Sequence, residues 1–102
     1  MSIKRQYLKT RPVCKVTFMI SVDPDRAGRN AHLVGDFNGW SAVAAPMKKL
    51  RNGAFSLTMD LEKGRQYEFR YLWDDGIWQN EAEADGTAPT PFAGCVNSVL
   101  VL

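Results

Sequence analysis

The sequence predicts an all-β fold, an immunoglobulin-like antiparallel β-sandwich of about seven strands. Polar and apolar residues alternate with a period of two in several segments, and no segment has a clear helical period of 3.6. Turn residues separate these segments at intervals of about ten residues, as in a sandwich. A chain of 102 residues is long enough to bury one core without disulfide bonds.

The first two predicted strands precede the most informative turn of the chain. Residues 16–22 carry an apolar face on their even positions, and turn residues at 23–30 end the strand. Residues 31–37 form the second strand, which ends at the turn dipeptide Asn38-Gly39. Trp40 follows this turn, so its ring either folds back over the core or offers a flat surface to a ligand.

The central segment predicts a loop with a short strand, followed by a half-buried antiparallel strand. Residues 42–50 form a loop around Pro46, with a short strand near 47–50, and residues 51–53 turn the chain. Between 55 and 61, apolar side chains occupy the odd positions and polar ones the even positions.

The C-terminal part begins with a strand that has one aromatic face. Its aromatic residues alternate with a mainly polar set and are Tyr67, Phe69, Tyr71 and Trp73. Asp75-Gly76 predicts a hairpin turn into Ile77-Trp78. Residues 79–94 form a long ordered loop, and residues 96–102 form the closing strand.

The charge distribution disfavours nucleic acid as a partner. The formal net charge is +2, but residues 1–15 hold five basic groups and no acid. We predict a basic N-terminal arm at 1–12, ordered only near Pro12, and a sandwich domain at 13–102, so the basic charge lies off the folded face. No apolar run is long enough to cross a membrane and no secretory signal begins the chain, so a cytoplasmic protein without a membrane partner is expected.

The reactive residue types do not form a recognisable catalytic or metal-binding motif. Cys14 and Cys95 predict two reduced thiols; their pairing stays open, although a reducing cytoplasm disfavours it. His32 lies within a strand and has no nucleophile motif beside it. No cofactor and no metal are therefore expected.

Three carboxylates in the long loop raise the alternative of a hydrolase. They are Glu81, Glu83 and Asp85. A glycosidase needs two carboxyl groups held rigidly across a cleft about 5 to 10 Å apart, and a loop at a hairpin edge supports this poorly. We interpret the three acids as a solvated face.

A set of aromatic and polar residues forms a better candidate site. Trp40 follows one strand, Trp78 follows a hairpin turn, and Asn97 opens the last strand. Two exposed indoles would offer apolar surfaces to the C–H faces of pyranose rings, while Arg70 and Asn97 would hydrogen-bond the hydroxyls. The alternative is that both rings pack on the sheet.

Four segments in order carry a resemblance to a known family. They read VGDFNGW at 34–40, YEFRY at 67–71, DGIW at 75–78 and GCVNSV at 94–99. Over about residues 13–102 the chain resembles carbohydrate-binding module family 48, which includes early-set domains of isoamylases and glycogen branching enzymes and the glycogen-binding domain of a protein kinase. The resemblance implies the early-set form of the immunoglobulin-like fold.

The resemblance also implies the roles of the candidate residues. Trp40 and Trp78 correspond to two tryptophans that stack on glucose rings, and Asn97 corresponds to an asparagine that contacts the sugar. A sugar-binding lysine falls on Arg70 if one residue is inserted near Trp73 and Asp74; otherwise it falls on Glu68. A leucine of the preceding loop falls nearest to Phe92 or Ala93.

The function that follows is non-catalytic binding of an α-1,4-glucan such as glycogen, starch or a maltooligosaccharide. We expect a stand-alone module, and the presence of both tryptophans in a chain without a catalytic barrel favours binding over a spacer role. The alternative is a protein-interaction or accessory module of a glycogen-metabolising enzyme that no longer binds sugar.

Overall fold

The computed structural model describes residues 2–21, 29–90 and 95–102 of the chain. This part contains nine β-strands and a short 3-10 helix at Asp36–Asn38. The strands are β1 (Ser2–Tyr7), β2 (Val13–Ile20), β3 (Ala31–Gly35), β4 (Lys48–Lys49), β5 (Phe55–Glu62), β6 (Gln66–Trp73), β7 (Trp78–Gln79), β8 (Gly86–Pro89) and β9 (Val96–Val101). The all-β prediction is confirmed, with more strands than the seven expected. No helix among the described residues is long and apolar enough to span a membrane.

The strands form two antiparallel sheets. The first has the order β1-β2-β5-β4, and the second has the order β3-β6-β9-β8. Strand β7 pairs with β6 outside this order, opposite residues 71–72. Since β3 pairs with residues 69–73 of β6, β7 occupies the other side of β6 and continues the side that β9 occupies at 66–69.

The core lies between the inner faces of the two sheets. Edge-to-face aromatic pairs cross it, with ring centroids 5.2 Å apart for Phe18 and Phe69 and 5.5 Å apart for Phe55 and Trp73. Its buried members are Cys14, Val16, Phe18, Ile20, Ala31, Leu33, Met47, Phe55, Leu61, Tyr67, Phe69, Tyr71, Trp73 and Leu100. The aromatic face predicted for β6 is therefore the inner face, and the intervening side chains of β6 lie on the outer face.

The N-terminal residues differ from their prediction as an arm. Ser2–Tyr7 forms the edge strand β1 and pairs with β2 along its whole length, so the expectation that order begins only near Pro12 is wrong. Ile3 packs against the core, and the side chain of Arg5 forms an ion pair with Asp85. The strand was not predicted because a segment that mixes basic residues with a few apolar ones is also typical of a solvated tail.

The second predicted strand is shorter than expected for a local reason. Strand β3 ends at Gly35, and the 3-10 helix occupies the residues that had been assigned to the end of the strand. The side chain of Asn38 accepts a hydrogen bond from the Gly35 N–H at 3.2 Å and donates one to the Leu33 carbonyl at 2.9 Å. These bonds bend the chain back on β3, as asparagine side chains do in turns.

The loop predicted at 79–94 contains a strand, and the two cysteines differ in burial. Gly86–Pro89 within that loop forms the edge strand β8, which pairs with β9. Cys14 lies inside β2 and is buried, whereas Cys95 is exposed, and both thiols are free. Val22 and residues 23–28 of the turn predicted at 23–30 lie outside the described residues.

Candidate functional site

Trp40 is held by an unusual backbone conformation. Gly39 and Trp40 both have positive φ, at 65° and 61°, and Trp40 is the one non-glycine residue with this conformation in the described part of the chain. A left-handed conformation costs a residue with a side chain roughly 1 to 2 kcal/mol. The Trp40 N–H compensates by donating to the Gly35 carbonyl at 2.9 Å. The result is a partly buried ring at the end of β3.

The carboxylate of Asp36 joins this turn to β6. Its Oδ1 accepts from the Trp40 indole Nε1–H at 2.9 Å, and its Oδ2 accepts from the Glu68 backbone N–H at 2.8 Å. The last β3–β6 pair is Gly35 with Phe69, so the carboxylate takes a strand N–H just beyond the point where β3 ends.

Arg70 lies at the centre of a second group of side chains on the outer face of β6. Its Nε–H donates to Asn97 Oδ1 at 2.9 Å, and its guanidinium carbon lies 5.1 Å from the centre of the Trp78 ring. Trp78 pairs with Leu72, so it shares the face of β6 that carries Arg70, and it is 44% exposed. A cation over an indole at this distance forms a favourable cation–π contact.

Glu68 completes this group. Asn97 donates from Nδ2 to Glu68 Oε1 at 3.0 Å while its Oδ1 accepts from Arg70, so the two partners fix the orientation of its amide. The two positions considered for the sugar-binding cation, 68 and 70, therefore lie on one face and contact the same asparagine. Only Arg70 offers N–H donors from its side chain.

A continuous series of contacts thus runs between Trp40 and Trp78, the two rings predicted as stacking platforms for glucose. It passes from the Trp40 indole to Asp36, to the backbone and side chain of Glu68, to Asn97, to Arg70 and finally to the Trp78 ring. The series combines flat apolar rings with a guanidinium, an amide and two carboxylates. Such groups suit a ligand that has both apolar C–H faces and hydroxyls.

The interpretation of the loop acids as a solvated face is wrong for Glu81. This side chain is 5% exposed, accepts from the Tyr71 hydroxyl at 2.8 Å through Oε1, and accepts from the Glu83 N–H through Oε2. Its own N–H donates to Ser98 Oγ at 2.9 Å. Burial, together with the Glu81 carboxylate, raises the pKa of the Tyr71 hydroxyl far above its ordinary value.

Asp85 is also tied into the fold. Its Oδ2 accepts from the Val101 N–H at 2.7 Å and from Arg5, and its own N–H donates to the Val99 carbonyl. Glu83 and Asp85 are both exposed, as predicted. The three acids thus have different surroundings, and no group of three or more histidine, cysteine, aspartate or glutamate side chains suited to a metal ion occurs among the residues that the structure describes.

The sequence matches the family model described as carbohydrate-binding module 48, the isoamylase N-terminal domain, over residues 26–87. That match covers more than half of the 102 residues. The chain belongs to carbohydrate-binding module family 48. The matched region contains Trp40, Arg70 and Trp78, and Asn97 lies beyond it.

The module is also similar to part of a curated enzyme. It is 37% identical over 59 residues to the 1,4-alpha-glucan branching enzyme GlgB of Frankia casuarinae. This alignment covers 56% of the module and 7% of the enzyme, so the similarity concerns a small part of that protein.

The structure brings most of the predicted site residues into one group. Arg70 contacts both Trp78 and Asn97, and Trp40 is connected to them through intermediate residues. Phe92 and Ala93 lie outside the described residues. The sequence analysis did not predict the hydrogen bonds of Asp36, although Asp36 lies four residues before Trp40 within the same turn.

Proposed function

We propose that this module binds α-1,4-glucan chains without catalysing a reaction, by stacking glucose rings on Trp40 and Trp78. Membership of a carbohydrate-binding family supports the general part of this proposal. The similarity to a branching enzyme whose name specifies a 1,4-alpha-glucan supports the choice of polymer.

The observation that carries the proposal is the arrangement of Arg70 between Trp78 and Asn97. The guanidinium lies over one face of the Trp78 ring, so a glucose unit stacks on the opposite face of that exposed ring. The Nε–H of Arg70 is taken by Asn97, so the hydroxyls of a bound glucan would use the remaining N–H groups of the guanidinium.

A catalytic role for the loop acids has little physical support. Glu81 is buried and both of its carboxylate oxygens hold groups of the fold, while Asp85 holds the N–H of Val101 and the side chain of Arg5. Carboxylates that already accept these bonds are poorly placed to donate a proton to a glycosidic oxygen. We therefore propose that turnover of glucan belongs to partner enzymes.

Exposed apolar residues near the site favour a second candidate function, docking of a glycogen-metabolising enzyme. Val43 is 79% exposed in the loop after Trp40, and Ile77 is 46% exposed beside Trp78. Glucan binding is preferred because the polar group around Arg70 suits hydroxyls better than an apolar protein surface.

A titration with maltoheptaose, followed by the indole N–H signals in NMR, tests the proposal. We expect saturable shifts at Trp40 and Trp78, with a dissociation constant in the micromolar to millimolar range, on the order expected for two stacked rings. Trp73 is 2% exposed and its Nε1–H donates to Gln79 at 2.8 Å, so its signal provides an internal control.

Two substitutions sharpen the test. Trp78→Ala and Trp40→Ala should each weaken binding by about tenfold or more, because each removes a stacked ring. Tyr7→Ala removes an aromatic ring that is 51% exposed on β1, in the other sheet, and should leave the affinity unchanged. If the wild-type protein shows no shift at millimolar sugar, glucan binding is excluded and protein docking becomes the preferred function.

A further inference from the structure

We infer that Asp36 is a positioning residue that holds the Trp40 ring ready for a ligand. The inference rests on the proposed function, and it assigns to Asp36 a role that acts through Trp40 rather than through contact with the sugar.

The geometry gives each carboxylate oxygen of Asp36 its own donor. Oδ1 receives the indole N–H of Trp40 at 2.9 Å, and Oδ2 receives the backbone N–H of Glu68 at 2.8 Å. An ionised carboxylate accepts only, so it satisfies both donors at once. Hydrogen bonds to a charged acceptor are also stronger than those between neutral groups.

The Trp40 ring needs such an anchor because of its position. It follows a glycine at a turn, its own backbone has the strained φ of 61°, and its side chain is only partly buried. A ring that is free to change rotamer loses conformational entropy when a ligand immobilises it, and this loss weakens binding. The bond to Asp36 restricts the ring before the ligand arrives.

The second hydrogen bond of Asp36 connects the Trp40 turn to strand β6, which supports the other site residues. The Glu68 N–H belongs to β6, which carries Arg70 on the same strand and pairs with β7, the strand of Trp78. One carboxylate therefore sets the position of Trp40 relative to the strand that supports the other site residues. Successive glucose rings have a defined spacing. Two tryptophan rings held at a fixed separation therefore favour a glucan chain whose ring spacing matches that separation.

The substitution Asp36→Asn tests this role with little change in shape. The asparagine oxygen can accept from only one of the two donors, and its amide group faces the other. We expect the indole N–H of Trp40 to move upfield and exchange faster with solvent, and the affinity for maltoheptaose to fall by about fivefold to tenfold. Asp60→Asn is the matched control, since Asp60 is an exposed acid on β5 whose carboxylate lies 3.8 Å from Arg11.

Repeating the Asp36→Asn substitution in a Trp40→Phe variant distinguishes positioning of the indole from general support of the fold. Trp40→Phe keeps a flat ring but removes the indole N–H, so Asp36→Asn should lower the affinity by less than about twofold in this background. An equal loss in both backgrounds would show that Asp36 supports the fold generally and would overturn the inference. Thermal unfolding of each variant verifies that it is folded.

The outcomes separate this inference from the function on which it rests. Absence of maltoheptaose binding by the wild-type protein overturns the proposed function, whatever the substitution does. Wild-type binding that Asp36→Asn leaves at the level of Asp60→Asn overturns the positioning role alone. Rapid solvent exchange of the Trp40 indole N–H in the unliganded wild-type protein would contradict the anchoring contact directly.

Discussion

Gly35 shows how closely the turn before Trp40 is packed. Its φ is −174°, which any residue can adopt, so space rather than backbone conformation requires glycine here. A Cβ atom at this position would lie 2.6 Å from the Glu68 carbonyl oxygen and 2.7 Å from Phe69 Cβ. The end of β3 therefore lies directly on the segment of β6 that leads into the candidate site.

Gly35→Ala should destabilise the protein by at least about 2 kcal/mol, because an overpacked side chain meets backbone and a fixed Cβ rather than a flexible chain end. Urea unfolding measures the difference in the free energy of unfolding. Gly86→Ala provides the control, since a Cβ there meets nothing within 4 Å and should change stability by less than about 0.5 kcal/mol. Equal stabilities of the two variants would contradict the close approach.

At the scale of elements, Asp85 connects edge strands of both sheets. It precedes β8, its carboxylate holds the Val101 N–H of β9, and its ion pair reaches Arg5 on β1. The side chains of Arg5 and Asp85 are 25% and 32% exposed, so solvent screens this pair only in part.

Asp85→Ala should lower the free energy of unfolding by about 1 to 2 kcal/mol, because it removes two hydrogen bonds to a charged acceptor that is partly solvated. Glu83→Ala changes a neighbouring acid of the same loop whose side chain is exposed, and it should have almost no effect. Thermal unfolding of both variants checks the difference. A larger effect for Glu83 would mean that the loop is arranged differently.

The elements that the sequence predicted well are those with strong alternation. Phe55–Glu62 and Gln66–Trp73 match their predicted segments because apolar side chains on alternate positions meet a real core. Strands β1 and β8 lie at sheet edges and carry few buried side chains, so their sequences resemble solvated segments. Each pairs with the next strand along the chain, β2 or β9, but so few of their side chains enter the core that the sequence shows little apolar alternation.

The candidate site was predictable in its members but not in its contacts. Trp40, Arg70, Trp78 and Asn97 were identified through their place in four segments of the sequence. The bridge of Asn97 between Glu68 and Arg70 depends on the placement of β9 beside β6, which the sequence does not specify locally. The burial of Glu81 was missed because three nearby acids are usually solvated, although a buried Tyr71 hydroxyl needs a partner.

At the scale of the whole molecule, the Tyr71–Glu81 pair makes stability depend on pH. Burial and the nearby carboxylate raise the folded-state pKa of Tyr71 above its ordinary value of 10.0. Below that value Tyr71 is protonated in both states and contributes no pH dependence. Above it the unfolded chain releases the proton while the folded protein retains it, so the free energy of unfolding falls as pH rises.

The wild-type protein should therefore lose up to about 1.4 kcal/mol of stability per pH unit above about pH 10 through this one group. Tyr71→Phe should lack that component, although it is less stable at neutral pH because Glu81 loses a buried donor. Urea unfolding across this range measures both. Tyr7→Phe changes an exposed tyrosine and should follow the wild-type curve, whereas parallel curves for Tyr71→Phe and the wild type would contradict the linkage.

The difference between the two thiols offers a means of observing the site. Cys14 is fully buried in β2, whereas Cys95 is exposed and lies two residues before Asn97. A thiol-reactive fluorophore should therefore label the folded wild-type protein at Cys95 alone. The natural sequence thus carries an exposed attachment point two residues from Asn97 of the candidate site, from which ligand binding can be followed optically without an engineered cysteine.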